Sequence, residues 1–263
     1  MEDRAQPIIV VVGLAFEARI AAGPNTTVIC SGDGRELSAN LERAIAAGCR
    51  GLLSFGLAGG LAPQLRPGAC LVASEIVSPA GRLATHPHWS RNLLKAFPQA
   101  VGGPILGHAA PVMAPAVKHD LWQQTGAHAV DMESHIVAQA AATHGLPMVA
   151  VRVVADPAHR ALPSSALAGM RPDGRTDAIA VLRSLRSQPR ELPALIRTAL
   201  DARAARASLL RGCRLLGPCF GFPDLAELEL NMTREHVLGG PLTVERDFGR
   251  HDAVGARAAQ SNQ

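Results

Sequence analysis

The stretch PIIVVVGLA, residues 7–15, decides the fold. Five β-branched residues stand in a row from Ile8 to Val12, with no polar position among them to face water. A strand with one wet face alternates apolar and polar residues, whereas a strand covered by helices on both faces does not. The run is too short to span a membrane, and the acidic MEDRAQ before it lacks the basic start of a signal peptide. It reads as a buried parallel strand that ends at Gly13.

Runs of the same kind recur at 26–30 (TTVIC), 51–55 (GLLSF), 69–73 (ACLVA) and 148–155 (MVAVRVVA). Helical patterns lie between them. In ELSANLERAIAAG, Leu37, Leu41, Ala44 and Ile45 share one face. After Asp131, residues Met132, Ile136 and Ala140 recur at helical spacing, and Gly145 stops the pattern. Strands alternating with helices predict an α/β fold, a central mixed, largely parallel sheet flanked by helices. A long helix is expected over 193–215, with Leu and Ala on one face against Arg197, Arg203, Arg206, Arg211 and Arg214. It runs into LLGPCFGF (215–222), an apolar cluster expected to be exposed. Periodicity is lost from about Ala226, which predicts one domain over 1–223 and a partly disordered C-terminal extension over 224–263.

Composition excludes several classes. With 48% hydrophobic residues in 263, the chain can bury a substantial core. Its net charge is only +4, 3% of residues are aromatic and none is Tyr, which argues against a nucleic-acid binder. Of the 26 Lys and Arg residues, only Lys95 and Lys118 are lysines. Five scattered cysteines with no CxxC pair, and histidines without zinc-like spacing, predict a reducing cytoplasm and neither a structural metal nor a cofactor.

Four places could carry chemistry. In AVDMESHIVA (129–138), Glu133 shares a predicted helical face with Val137 and Ala140, so its carboxylate lies along an apolar surface and must meet something polar. A pair of ligand hydroxyls or a neighbouring Arg would satisfy it, while Asp131 is placed to cap the helix. In SFGLAGGLAPQLRPG (54–68), Gly56, Gly59 and Gly60 follow a strand, either as a tight turn or as backbone that a ligand approaches. SGDGRE (31–36) is open in the same way: Gly32, Gly34 and Arg35 form an anion cradle or a strand-to-helix turn. Asp156 in VRVVADPAH follows an apolar strand, where desolvation would raise a carboxyl pKa and suit a general acid, unless it merely opens an Asp-Pro turn. Glu17 lies four residues after Gly13, just past the first strand.

The order of these signals is more specific than any one of them. G-x-x-x-E after the first strand, GDGRE, GLAGGLAP-x-L-x-PG, DMES and VRVVADPA, spanning about residues 8–158, resemble the purine nucleoside phosphorylase and methylthioadenosine/adenosylhomocysteine nucleosidase superfamily. Within it the chain is most similar to hopanoid-associated phosphorylases. The resemblance implies a catalytic domain of phosphorylase/hydrolase-like fold that releases adenine from a 5′-modified adenosine, adenosylhopane in hopanoid biosynthesis. It implies that Asp156 is the acid that hydrogen-bonds purine N7 so that the base leaves without a full negative charge, that Glu133 grips the ribose hydroxyls, that Met132 packs on the sugar, and that Val112 and Met113 flank the base beside Gly59. Phosphorolytic members carry an Arg where Glu17 stands, and the positions matching their further phosphate ligands are Ser54 and Leu57. Water is therefore the expected nucleophile, in a site formed by Gly13, Glu17 and Leu57, with Arg19 or Arg35 able to restore phosphate binding. Ala155 replaces the usual Ser before the catalytic Asp. The implied partners are a small nucleoside, in this subgroup lipid-linked, and further copies of the chain. The arginine-rich helix and LLGPCFGF raise peripheral contact at the inner membrane, set against an ordinary packing helix.

Overall fold

The computed structural model describes residues 6–169, 171 and 173–223. The extension expected over 224–263 lies outside them.

Strand β1 (Ile8–Val12) is buried at every residue, as its unbroken β-branched run requires. It pairs in parallel with β2 (Thr26–Cys30) on one side and β3 (Gly51–Gly60) on the other. Successive side chains of a strand point to opposite faces. Ile9 and Val11 accordingly join a core with Leu37, Leu41 and Val137, while Ile8, Val10 and Val12 join another with Trp89, Ala205 and Leu209. Each face carries its own helices. Helix α2 (Gly34–Ala46), capped by the Asp33 side chain, and α5 (Ser134–His144), closed by left-handed Gly145, cover the first. Helix α1 (Ala15–Ala21), α3 (Pro87–Ala96) and the long α8 (Leu192–Leu216) cover the second.

The remaining strands are β4 (Cys70–Ser78), β5 (Gly81–Ala84), β6 (Val101–Gly107), β7 (Ala129–Asp131) and β8 (Met148–Asp156), which complete a mixed eight-stranded sheet. Its order is β2-β1-β3-β7-β6-β4-β5, and β8 pairs with both β3 and β4. Strands β3, β7, β6, β4 and β8 therefore form a closed circuit of hydrogen-bonded neighbours. Strands β1, β3 and β8 run parallel, so their carboxyl ends lie together. Helices α4 (Pro115–Thr125), α6 (Ser164–Ala168) and α7 (Ala178–Ser187) and a 3-10 turn at Pro189–Glu191 complete the secondary structure of the described residues.

Three expectations need correction. GLAGG is not a turn: β3 runs from Gly51 through Gly60, bulging between Ala58 and Gly59 where it bonds β7 and β8 at once. The helix predicted from Asp131 begins at Ser134, because Ala129–Asp131 pairs with β3 and β6 as a short strand. LLGPCFGF is largely packed rather than exposed. The Phe220 and Phe55 rings meet edge to face at 5.5 Å, Phe222 meets Trp89 at 4.7 Å, and the indole of Trp89 donates to the Phe220 carbonyl at 2.8 Å. Leu215 alone of its large side chains stays exposed. Left-handed Gly217 and Gly221 fold the segment back onto partners more than a hundred residues away.

Candidate active site

A cavity of about 460 Å³ opens at the carboxyl ends of β1, β3, β7 and β8. Gly13, Glu17, Leu57, Gly59, Val112, Met132, Glu133 and Asp156 all border it, together with Arg152.

Glu17 sits in the first turn of α1 and is almost wholly buried. Its Oε2 accepts from the amides of Gly13 (3.1 Å) and Leu14 (2.9 Å), and its Oε1 from the amide of Leu57 (2.7 Å). The end of β1 and the middle of β3 thus clamp one carboxylate. Burial pushes its pKa above the ordinary range, against the pull of nearby Arg152 and of the three amides.

Glu133 is the residue immediately before α5, not a position on its face. Both sources of polarity weighed for it prove compatible, because Arg152 Nη2 donates to Glu133 Oε2 at 3.1 Å while the residue still borders the cavity. Arg152 comes from the centre of β8 and is wholly buried. Its Nε donates to Asp131 Oδ2 at 2.6 Å and its Nη2 to Ser54 Oγ at 2.6 Å. Asp131 is more than a cap: Oδ1 accepts from the amides of Glu133 (3.1 Å) and Ser134 (2.8 Å), while Oδ2 holds Arg152 and the Ser134 hydroxyl. Burial pushes the Glu133 carboxyl up to about 7, opposed by Arg152 and reinforced by the repulsion of Asp131 and Glu17. Burial also works against the charge of Arg152, but Asp131, Glu133 and Glu17 outweigh it and raise its pKa.

Asp156 ends β8, and its carboxylate is ion-paired with Lys118 of α4. Burial raises its pKa, with Lys118 pulling in the opposite direction. The environment expected for it, an apolar pocket alone, therefore lacked a buried cation.

The glycines explain how these carboxylates fit. A Cβ on Gly13 would lie 2.6 Å from Glu133 Oε1, one on Gly56 2.6 Å from Glu17 Oε1, and one on Gly59 3.4 Å from both Asp156 carboxylate oxygens. Each of the three acids packs on a strand or turn residue that has no side chain.

Not every expected residue arrives. Met113 is absent from the cavity wall, where Ala110, Pro111 and Val112 stand; its carbonyl instead accepts from the Leu162 amide at 3.0 Å. Arg35 and Arg19 are exposed and away from the cavity, since GDGRE is the turn that caps α2 through Asp33. Gly32 of that turn does border it. Ser54 lies beneath the site as a partner of Arg152 rather than in its wall. Two residues went unread in the sequence. Arg152 had a signal, a lone Arg inside an apolar strand, which can be buried only if paired. Lys118 had only its rarity as one of two lysines, because its spacing within α4 looks like that of any surface lysine.

A family model described as Phosphorylase superfamily matches residues 10–185. Among curated proteins, none matches the chain. Solved structures share the fold at low identity. The 5′-methylthioadenosine/S-adenosyl homocysteine nucleosidase of Helicobacter pylori superposes with a TM-score of 0.59 at 16% identity, over 81% of this chain and 96% of that one. Futalosine hydrolase of Helicobacter pylori gives 0.59 at 17% identity, over 82% and 97% of the two chains. The S-adenosylhomocysteine nucleosidase of Streptococcus pyogenes gives 0.58 at 15%, over 85% and 100%.

Proposed function

The chain belongs to the phosphorylase superfamily, and from that membership we propose that it cleaves the N-glycosidic bond of a purine nucleoside, with water as the nucleophile. The observation that carries the choice of water is Glu17, a buried carboxylate clamped by three amides where phosphorolytic relatives are expected to hold a cation. Arg152, the cation that pulls on its titration, is already bonded to Asp131 and Glu133. A phosphate dianion placed there would face three carboxylates, offset only by the shared guanidinium of Arg152 and by that of Arg171 on the cavity wall, which is exposed and paired with Asp177.

The geometry supports a role for each residue. Glu17, its pKa raised by burial, takes the proton of the attacking water. Glu133, oriented by Arg152, accepts from the ribose hydroxyls, with Met132 beneath the sugar. As the bond to the base breaks, positive charge develops on the ribosyl ring, and the two glutamates lie where it is stabilised. Asp156 protonates the departing base, which rests against Gly59 and Val112.

The finer reading is a 5′-substituted adenosine carrying a large apolar group, adenosylhopane in the subgroup the sequence resembles. Leu162 and Leu167 on the cavity wall suit such a substituent. The stretch from Arg171 to Leu216 contains ten arginines against Asp173, Asp177, Glu191 and Asp201. It also exposes Ile179, Leu182, Ile196 and Leu200. That chemistry fits peripheral contact with an anionic lipid surface, and no helix among the described residues is long and apolar enough to cross a membrane.

The test is adenine release from 5′-methylthioadenosine, adenosine and adenosylhopane, each with and without phosphate. Release should proceed without phosphate and fall at least about 100-fold in Asp156→Asn. Phosphate-dependent formation of a ribose 1-phosphate would overturn hydrolysis. Ligand-induced stabilisation with no base released under any condition would mark a binding protein instead.

A further inference from the structure

Lys118 is wholly buried, and it is the one residue that α4 buries. Its Nζ donates to three oxygens: Asp156 Oδ2, and the carbonyls of Pro157 and Arg160 at 3.2 Å each. Three acceptors match the three donors of an ammonium group. Such a pair is a poor source of stability, because both charges lose their water. Its place, against the carboxylate that ends β8 in the cavity wall, points to chemistry.

The identity of the cation matters as much as its position. Of 26 cationic side chains, 24 are Arg, yet this one is Lys. An Arg could form the ion pair but would not release a proton, whereas a buried Lys can. Burial raises the pKa of Asp156, so the carboxylate in contact with the ammonium is disposed to take up a proton.

We propose that Lys118 is a positioning residue that stores the proton for the departing base and passes it through Asp156. The inference rests on the nucleosidase reading above. When the glycosidic bond breaks, its electron pair goes to the purine. The neutralising proton leaves Lys118 Nζ for the Asp156 carboxylate, and the carboxylic acid so formed protonates a ring nitrogen. Asp156 ends as a carboxylate and Lys118 as an amine. The proton that Glu17 takes from the attacking water returns through solvent to recharge the pair, so the cycle closes without a further reactant.

The test compares a leaving group that needs a proton with one that does not. Adenine release from 5′-methylthioadenosine and 4-nitrophenolate release from 4-nitrophenyl β-D-riboside are measured for the full-length wild type, Lys118→Arg and Lys118→Met. The ratio of the two rates should fall at least about 30-fold in Lys118→Arg, whose guanidinium keeps Asp156 ionised and holds its own proton, and should fall less in Lys118→Met, where burial without the opposing cation lets Asp156 hold the proton itself. A structural role lowers both rates together and leaves the ratio unchanged, which would overturn the proposal. So would a wild-type ratio in Lys118→Arg, since charge alone would then suffice. If Lys118→Met does not fold, Lys118→Arg decides. A wild type that releases no adenine fails the nucleosidase reading itself, separately from the role of Lys118.

Discussion

Asp131 and Glu133 stand two residues apart and share Arg152, yet they are held very differently. Asp131 accepts from two amides, a hydroxyl and the guanidinium, whereas Glu133 has the guanidinium and an open side toward the cavity. That difference leaves Glu133 a carboxyl raised to about 7 by burial. A carboxyl whose pKa is higher in the folded than in the unfolded chain binds protons more tightly when folded. Its contribution to stability is fully present below the unfolded value near 4.5 and is lost as pH rises through about 7. The ligand-free protein should therefore melt at progressively lower temperature between pH 5 and pH 8. Glu133→Gln should flatten that slope by up to about 1.4 kcal/mol per pH unit, leaving the trends of Glu17 and Asp156, which have the same sign. Thermal melts of both proteins across this range check it, and identical slopes would refute the assignment. At this scale the sequence showed the acids but hid their partners. Lys118 is 38 residues from Asp156 and Ser54 is 98 from Arg152, distances over which no spacing rule acts.

Strand β3 does the most positional work of any element. Its first half is an ordinary buried strand, paired to β1 and β8, while its second half brings Gly56, Leu57 and Gly59 against Glu17 and Asp156. Gly56 has φ +150°, a conformation that side chains rarely adopt, and its missing Cβ is the space that Glu17 occupies. Gly56→Ala should cost about 1–3 kcal/mol of stability through backbone strain. It should also lower base release at least about tenfold by displacing the clamped carboxylate. A melt and a rate on the same preparation distinguish the two effects, and an unchanged rate would mean that Glu17 tolerates the shift. The glycines of GLAGG were visible in the sequence as a departure from strand composition. Their meaning was not, because glycine breaks a strand or admits a neighbour with the same signature.

For the whole molecule, the charge is unevenly placed: the net +4 arises from a chain whose arginines concentrate between Arg171 and Leu216. If that stretch meets an anionic surface, the full-length protein should float with vesicles rich in phosphatidylglycerol at low salt. It should be released near physiological salt and ignore phosphatidylcholine. Absence from the floated fraction at low salt would end the membrane reading. The sequence by itself determined the architecture, because a strand apolar at every position can be satisfied only by cover on both faces, and glycine and capping residues end elements through local geometry. It also determined which carboxylates to suspect, since a charge beside an apolar run demands a partner. Only the tertiary structure decided what the partners are: Arg152 beneath Glu133 and Asp131, Lys118 behind Asp156, and Trp89 under the apolar cluster that looked exposed. These pairings follow from how the closed circuit of strands brings distant segments together, and burial and charge compensation act through space rather than along the chain.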